Sequence, residues 1–180
     1  MLITESYRKL NSELHERLPA YGDLLRAQTP GGEPRRSHLT INAAIQTATD
    51  LKLRTVLDYG CGKGALKDAC PPWLEVREYD PAIPGKDSPP EPAEMVTCFD
   101  VLEHIEPACL GDVLDHIYDL AKTAVMFKVH MKPALKTLAD GRNAHLIIEG
   151  PKFWVPLLST RWATKSCVVT TNSVAFIGVP

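Results

Sequence analysis

The sequence has no apolar run approaching the roughly 20 residues that a membrane-spanning helix needs. Its start, Met1-Leu2-Ile3-Thr4-Glu5-Ser6, lacks the basic residues and long apolar stretch of an export signal. A soluble, cytoplasmic chain with no membrane partner is therefore expected. Charge of one sign is also missing. There are 20 Lys and Arg against 22 Asp and Glu, a formal net charge of −2, so no basic field draws the chain to a large nucleic-acid duplex, although a local patch stays open. The five cysteines, Cys61, Cys70, Cys98, Cys109 and Cys167, form no CxxC pair and are odd in number, which excludes a complete disulfide framework and fits reduced thiols. No internal repeat is present. With 44% hydrophobic and 23% charged residues, 180 residues suffice for one core and are short for two. A single domain over 1–180 is expected, its residues 1–50 forming a helical segment that packs on or covers the site and 52–180 the core. Nothing in the pattern fixes an oligomeric state.

What is present alternates. Tyr7, Leu10, Leu14, Leu18, Tyr21, Leu24 and Leu25 recur at helical spacing, with a break near Pro19. A loop over 29–36 follows, then a helix from about Ser37 to Leu51. Strands are expected at 55–59, 74–80, 94–99 and 124–129, with helices at 65–70, 101–121 and 151–162. The prolines at 81, 84, 89, 90 and 92 forbid a helix in residues 81–93. Cys167–Thr171 and Val174–Val179, separated by Asn172-Ser173, read as a hairpin. Strands alternating with helices and ending in a hairpin predict an α/β fold, a mostly parallel sheet covered on both faces with an antiparallel C-terminal edge.

The chemistry gathers on Asp58-Tyr59-Gly60-Cys61-Gly62-Lys63-Gly64, a glycine turn between a strand and a helix. Glycines let backbone approach a ligand closely because no Cβ intervenes. The spacing Gly60-x-Gly62-x-x-Ala65 also satisfies a dinucleotide fingerprint. Two carboxylates decide between the readings. Asp58 would repel a pyrophosphate but attract a cationic amino group. Asp80, about twenty residues after Gly60, ends the next strand where a carboxylate can accept ribose hydroxyls.

On these residues the chain resembles the Rossmann-like class I S-adenosylmethionine-dependent methyltransferases, whose D/E-x-G-x-G-x-G motif is matched in full. The likeness extends through Tyr79-Asp80 and Val96-Thr97-Cys98-Phe99-Asp100-Val101-Leu102-Glu103-His104-Ile105, which is similar to the "LEH" region of the ubiquinone-biosynthesis methyltransferases. It covers roughly residues 52–131. The resemblance implies S-adenosylmethionine as cofactor, bound by Asp58, Tyr59, Gly60, Cys61, Gly62, Gly64, Asp80 and Asp100. One departure accompanies it: members usually carry a further strand and helix after the ribose acid, and 81–93 leaves no room for both. The sheet is expected to lack that strand and helix, and Asp87 or the backbone of Glu94–Val96 are the candidates to read the adenine.

Asp100-x-x-Glu103 at a helix start has the spacing of a capping box. His104 stands beside it at the carboxyl edge of the sheet, where ligands bind in open α/β folds. In the loop after the fourth strand, Asp140-Gly141-Arg142-Asn143-Ala144-His145 offers Arg142 to clamp an anion and His145 to take a proton, unless it is a plain solvated turn. His104 and His145 are the candidate bases, Arg142 and His130 the candidate substrate contacts. No metal is expected in the main reading. Asp100, Glu103 and His104 with a remote His145 or His130 nevertheless resemble the E-x-x-E-H metal site of small-RNA 2′-O-methyltransferases, and such oxygen and nitrogen ligands suit a divalent cation. Phe153, Trp154 and Trp162 are expected to pack a helix on the sheet, and His15, His38 and His116 to be ordinary helix residues. The Asp/Asn-Pro-Pro-aromatic motif of amino-methylating nucleobase enzymes and the Pro-Cys motif of cytosine-C5 enzymes are absent. The expected function is methyl transfer to an oxygen or nitrogen of a small-molecule acceptor. The alternatives are metal-assisted methylation of an RNA or nucleotide hydroxyl, a non-catalytic S-adenosylmethionine-binding module, and a nicotinamide-dependent oxidoreductase, against which Asp58 speaks.

Overall fold

A computed structural model of the chain describes residues 1–18 and 36–180. The expected break at Pro19, the apolar positions Tyr21, Leu24 and Leu25, the loop from Thr29 to Pro34 and the side chain of His38 lie outside the described part.

Helix α1 (Glu5–Arg17) starts at Thr4, whose side chain accepts the Tyr7 N–H, and carries Glu5 in its first turn and His15 and Arg17 in its last, charges that suit the helix dipole. Helix α2 (Arg36–Asp50) leads into β1 (Thr55–Tyr59). Then come α3 (Ala65–Ala69), β2 (Glu75–Tyr79), β3 (Ala93–Phe99), α4 (Leu110–Leu120), β4 (Ala121–His130), α5 (Pro151–Ser159), β5 (Ala163–Val169) and β6 (Ser173–Val179). Among the described residues the six strands form one sheet in the order β2-β1-β3-β4-β6-β5. The first four run parallel, β6 is antiparallel to β4, and β5 closes the hairpin with β6. The α/β sheet with an antiparallel edge is thus as the alternation predicted. From Asp80 to Pro92 the chain forms no strand or helix, so among the described residues β2 is an edge strand and the additional strand is missing.

Strand side chains alternate between two faces. Leu57 and Tyr59 of β1 join one core with α4 and α5, and Val56 joins the other with α2 and α3. Val113, Leu114, Ile117 and Leu120 recur along one stripe of α4 and are buried against the first face, each contributing about 1.5–3 kcal/mol by leaving water. Trp154 and Trp162 are buried in the same core, whereas Phe153 is 38% exposed and stacks edge-on against Trp154. A third, small cluster joins Tyr7 and Leu14 of α1 to Leu138 and Ala144 of the loop after β4. Among the described residues no helix is long and apolar enough to cross a membrane.

The helix expected over 101–121 is a correction. Two 3-10 turns, Leu102–His104 and Pro107–Cys109, precede α4. Glu106 is extended (φ −59°, ψ 130°), because the residue before a proline is driven out of the helical region. The hairpin also begins earlier than expected, at Ala163 rather than Cys167.

Candidate functional site

In the order β2-β1-β3 the chain passes from β1 to β2 on one side and then crosses back to β3 on the other side of β1, and ligands of open α/β folds bind at the carboxyl ends beside such a switch point. The glycine loop sits there. Gly60, Gly62 and Gly64 adopt φ of 76°, 52° and 87°, the left-handed region that other residues enter only with strain. The Gly60 and Cys61 N–H groups both donate to the Tyr79 carbonyl, which ties the loop to the end of β2. A Cβ at Gly60 would stand 2.4 Å from Val101, and one at Gly64 2.3 Å from Glu78 Oε1.

Asp58 is 6% exposed, and Thr97 donates to its Oδ1 at 3.1 Å. Burial pushes its carboxyl up to about 7, against the Thr97 bond and with support from the like charges of Glu78 and Asp80. Asp80 accepts the Gly62 N–H at 3.1 Å on Oδ2 and the Ala82 N–H at 3.0 Å on Oδ1. A carboxylate has lone pairs for about four donors, so capacity remains for hydroxyls. Gly62 and Ala82 both line an open pocket of about 370 Å³, flanked by Ile83, Pro84 and Lys86 on one side and by Ser12, His15 and Glu16 of α1 on the other. Lys86 bonds the Gly62 carbonyl (3.1 Å) and Glu78 (2.8 Å). Tyr59 and Cys61 are buried. Tyr59 shares a hydrogen bond with His116 on the opposite face of the sheet, so its backbone rather than its ring faces the loop.

Asp100 and Glu103 form no capping box. The 3-10 turn they begin has no side-chain cap. Asp100 is left-handed (φ 56°), its N–H still continues the ladder to Lys128, and its carboxylate pairs with Lys128 Nζ at 2.7 Å. Glu103 is fully buried and turns inward, where Oε1 accepts the His130 N–H at 2.9 Å and Oε2 has no hydrogen-bond partner among the described residues. Its carboxyl is raised by burial and by Asp100. The strand end and the β4 cation thus take the groups that the spacing assigned to a cap.

Tertiary packing brings His145 to His104: the ring centroids are 4.7 Å apart. His104 Nδ1 lies 2.7 Å from the Ala144 carbonyl and so carries the proton. Its ring is pushed down to about 3 by burial and then by His145. Glu103, His104 and His145 each offer a ligand atom, all within 4.8 Å of one another. His130 stands nearby, Nε2 3.7 Å from Asp100 Oδ1. Arg142 is instead bound through Nε and a terminal nitrogen to Asp140 (2.8 and 2.7 Å) and lies over the Tyr7 ring.

Two adenine candidates fare differently. Asp87 lies on the 80–92 loop and caps the Gly85 N–H. Glu94 binds the N–H groups of Arg54 and Thr55 at the start of β1, the edge opposite the glycine loop, and Met95 and Val96 pair within the sheet. Glu94–Val96 is therefore corrected. Sequence reading missed Thr97 and Lys128. Thr97 had a signal, being the one hydrophilic residue in Met95–Phe99.

Several solved structures share the fold. Magnesium protoporphyrin IX methyltransferase (ChlM) from Synechocystis PCC 6803, with bound SAM, is 15% identical over 96% of each chain, TM-score 0.59. The N-methyltransferase NodS from Bradyrhizobium japonicum, in complex with S-adenosyl-L-homocysteine, is 10% identical over 96% of this chain and 98% of its own, TM-score 0.61. The small RNA methyltransferase HEN1 is 14% identical over 86% of this chain and 26% of its own, TM-score 0.59. No curated protein matches by sequence. A family model described as a methyltransferase domain matches residues 8–155, most of the chain. The chain therefore belongs to the methyltransferase-domain family.

Proposed function

We propose that this S-adenosylmethionine-dependent methyltransferase moves a methyl group to an oxygen or nitrogen of a small-molecule acceptor, bound against His145. The observation that carries the reading is the glycine loop, set between a buried acid on β1 and Asp80, whose carboxylate joins the loop to Ala82. S-adenosylmethionine supplies an electrophilic methyl on a sulfonium. Asp58 suits its ammonium group, Asp80 its ribose hydroxyls, and the cavity between Ile83 and α1 its adenine. The loop holds the backbone close, and the catalytic contribution of these residues is mainly positioning. His104 is too weakly basic to take a proton near neutrality, so His145 is the base where one is needed. The balanced charge supports a small acceptor over a large nucleic acid.

Calorimetry with S-adenosylmethionine, S-adenosylhomocysteine and NAD tests the cofactor. The first two bind and NAD does not; binding of NAD alone overturns the reading. A metabolite panel followed by mass spectrometry then identifies the acceptor. Cofactor binding without turnover on any acceptor favours the non-catalytic module.

A second reading, metal-assisted methylation of an RNA or nucleotide hydroxyl, is favoured by the convergence of Glu103, His104 and His145 and by the unpaired Glu103 oxygen. Neutral imidazoles and a carboxylate fit a divalent cation, and Lys128 holds Asp100 aside from such a set. Full activity after exhaustive chelation sinks this alternative.

A further inference from the structure

Thr97 is wholly buried, and the last register pair between β1 and β3 sets it beside Asp58. Its Oγ1 lies 3.1 Å from Asp58 Oδ1 and 3.4 Å from the Leu57 carbonyl. A hydroxyl has one proton and two lone pairs, so it donates to one of these at a time. With Asp58 ionised, the proton points to the carboxylate in a charge-assisted bond. With Asp58 protonated, the acid O–H donates to Thr97 Oγ1 and the threonine proton turns to Leu57. Both protonation states keep the buried groups paired, which a valine of similar shape would not achieve.

We propose that Thr97 is a positioning residue for the methyl donor: its hydroxyl orients the Asp58 carboxylate and, by turning its proton between Asp58 and Leu57, sets the pH at which Asp58 becomes the anion that receives the donor's ammonium group. The inference rests on the methyl-donor reading above.

Among the described residues the charged and titratable neighbours of Asp58 are few. Glu78 and Asp80, at the end of β2, oppose its ionisation, and Lys86 favours it. The thiols of Cys61 on the glycine loop, Cys70 after α3 and Cys98 on β3 are all raised, chiefly by burial, and stay protonated. The Thr97 bond is the leading effect that lowers the Asp58 carboxyl against burial. The donor binds the ionised form, so its affinity falls on the acidic side of about 7.

The experiment measures S-adenosylhomocysteine affinity by calorimetry at pH values on both sides of 7 for the native protein, Thr97→Val and Thr97→Ser, and follows the Asp58 carboxyl by carbon NMR. Affinity of the native protein weakens about tenfold per pH unit below its midpoint. Thr97→Val moves the midpoint up by about one unit, a loss of about fivefold at pH 7 that approaches tenfold at more acidic pH and recovers in alkali, and Thr97→Ser returns it to the native value. A loss for Thr97→Val that is equal at every pH, or a carboxyl that titrates at the same pH in both proteins, overturns the inference. If the valine variant does not fold, an ordinary carboxylate titration of Asp58 in the native protein overturns it as well. A folded native protein that binds no S-adenosylhomocysteine at any pH removes the donor reading itself, whereas binding that is flat with pH removes only the role of Thr97.

Discussion

The rings of His104 and His145 stand nearly perpendicular, centroids 4.7 Å apart, one against the Ala144 carbonyl and the other against that of Lys132. Desolvation, with His145 alongside, holds the His104 ring neutral. His145→Ala should therefore lower kcat by about 10²–10⁴-fold, the usual range for a lost general base, while S-adenosylhomocysteine affinity stays native. His104→Gln should be milder in the pH dependence of kcat, because its ring does not titrate near neutrality. Rate profiles with the acceptor from the panel check both.

Asp58→Asn should trade function for stability. A carboxyl raised from the usual range to about 7 favours the folded state when protonated. That contribution is full below the unfolded value and is lost as pH rises through the folded one. The asparagine variant should therefore gain on the native protein between about pH 4 and 7, by about 2–4 kcal/mol at the alkaline end. Its cofactor affinity should be lost. Denaturant unfolding at several pH values measures the first effect and calorimetry the second.

Gly60→Ala should destabilise the protein by about 1–3 kcal/mol through its positive φ alone, and further through the collision with Val101. Shortening the partner relieves only the collision. The double variant Gly60→Ala with Val101→Ala should be more stable than the sum of the single changes predicts, and unfolding free energies in a double-mutant cycle measure that coupling.

Leu14→Ala should loosen α1 and leave the sheet closed. Leu14 packs with Tyr7, Leu138 and Ala144 in a cluster of its own, apart from the two cores on the sheet. Hydrogen exchange should rise across residues 5–17 and 134–146 while β1, β3 and β4 stay protected. Equal loss of protection in the strands would show that α1 and the sheet unfold as one unit.

Periodicity and breakers made the architecture legible. The β-rich run at 55–59, the prolines in 81–93 and the spacing of the glycines are local signals, and dihedral preferences act locally, so the sheet, the missing strand in 81–93 and the glycine turn were readable in one dimension. Asp58 and Asp80 belonged to the same readable stretch. Tertiary structure decided what depends on neighbours distant in sequence. The Asp100 and Glu103 spacing promised a helix cap, yet Lys128 and the His130 N–H, brought alongside by parallel pairing of β3 with β4, claimed both carboxylates. Likewise His145 reached His104 only because the loop after β4 folds back over the strand ends, and Thr97 met Asp58 only through register. A sequence records which groups are present; desolvation and the partner across a strand determine their charge, and both exist only once the chain has packed.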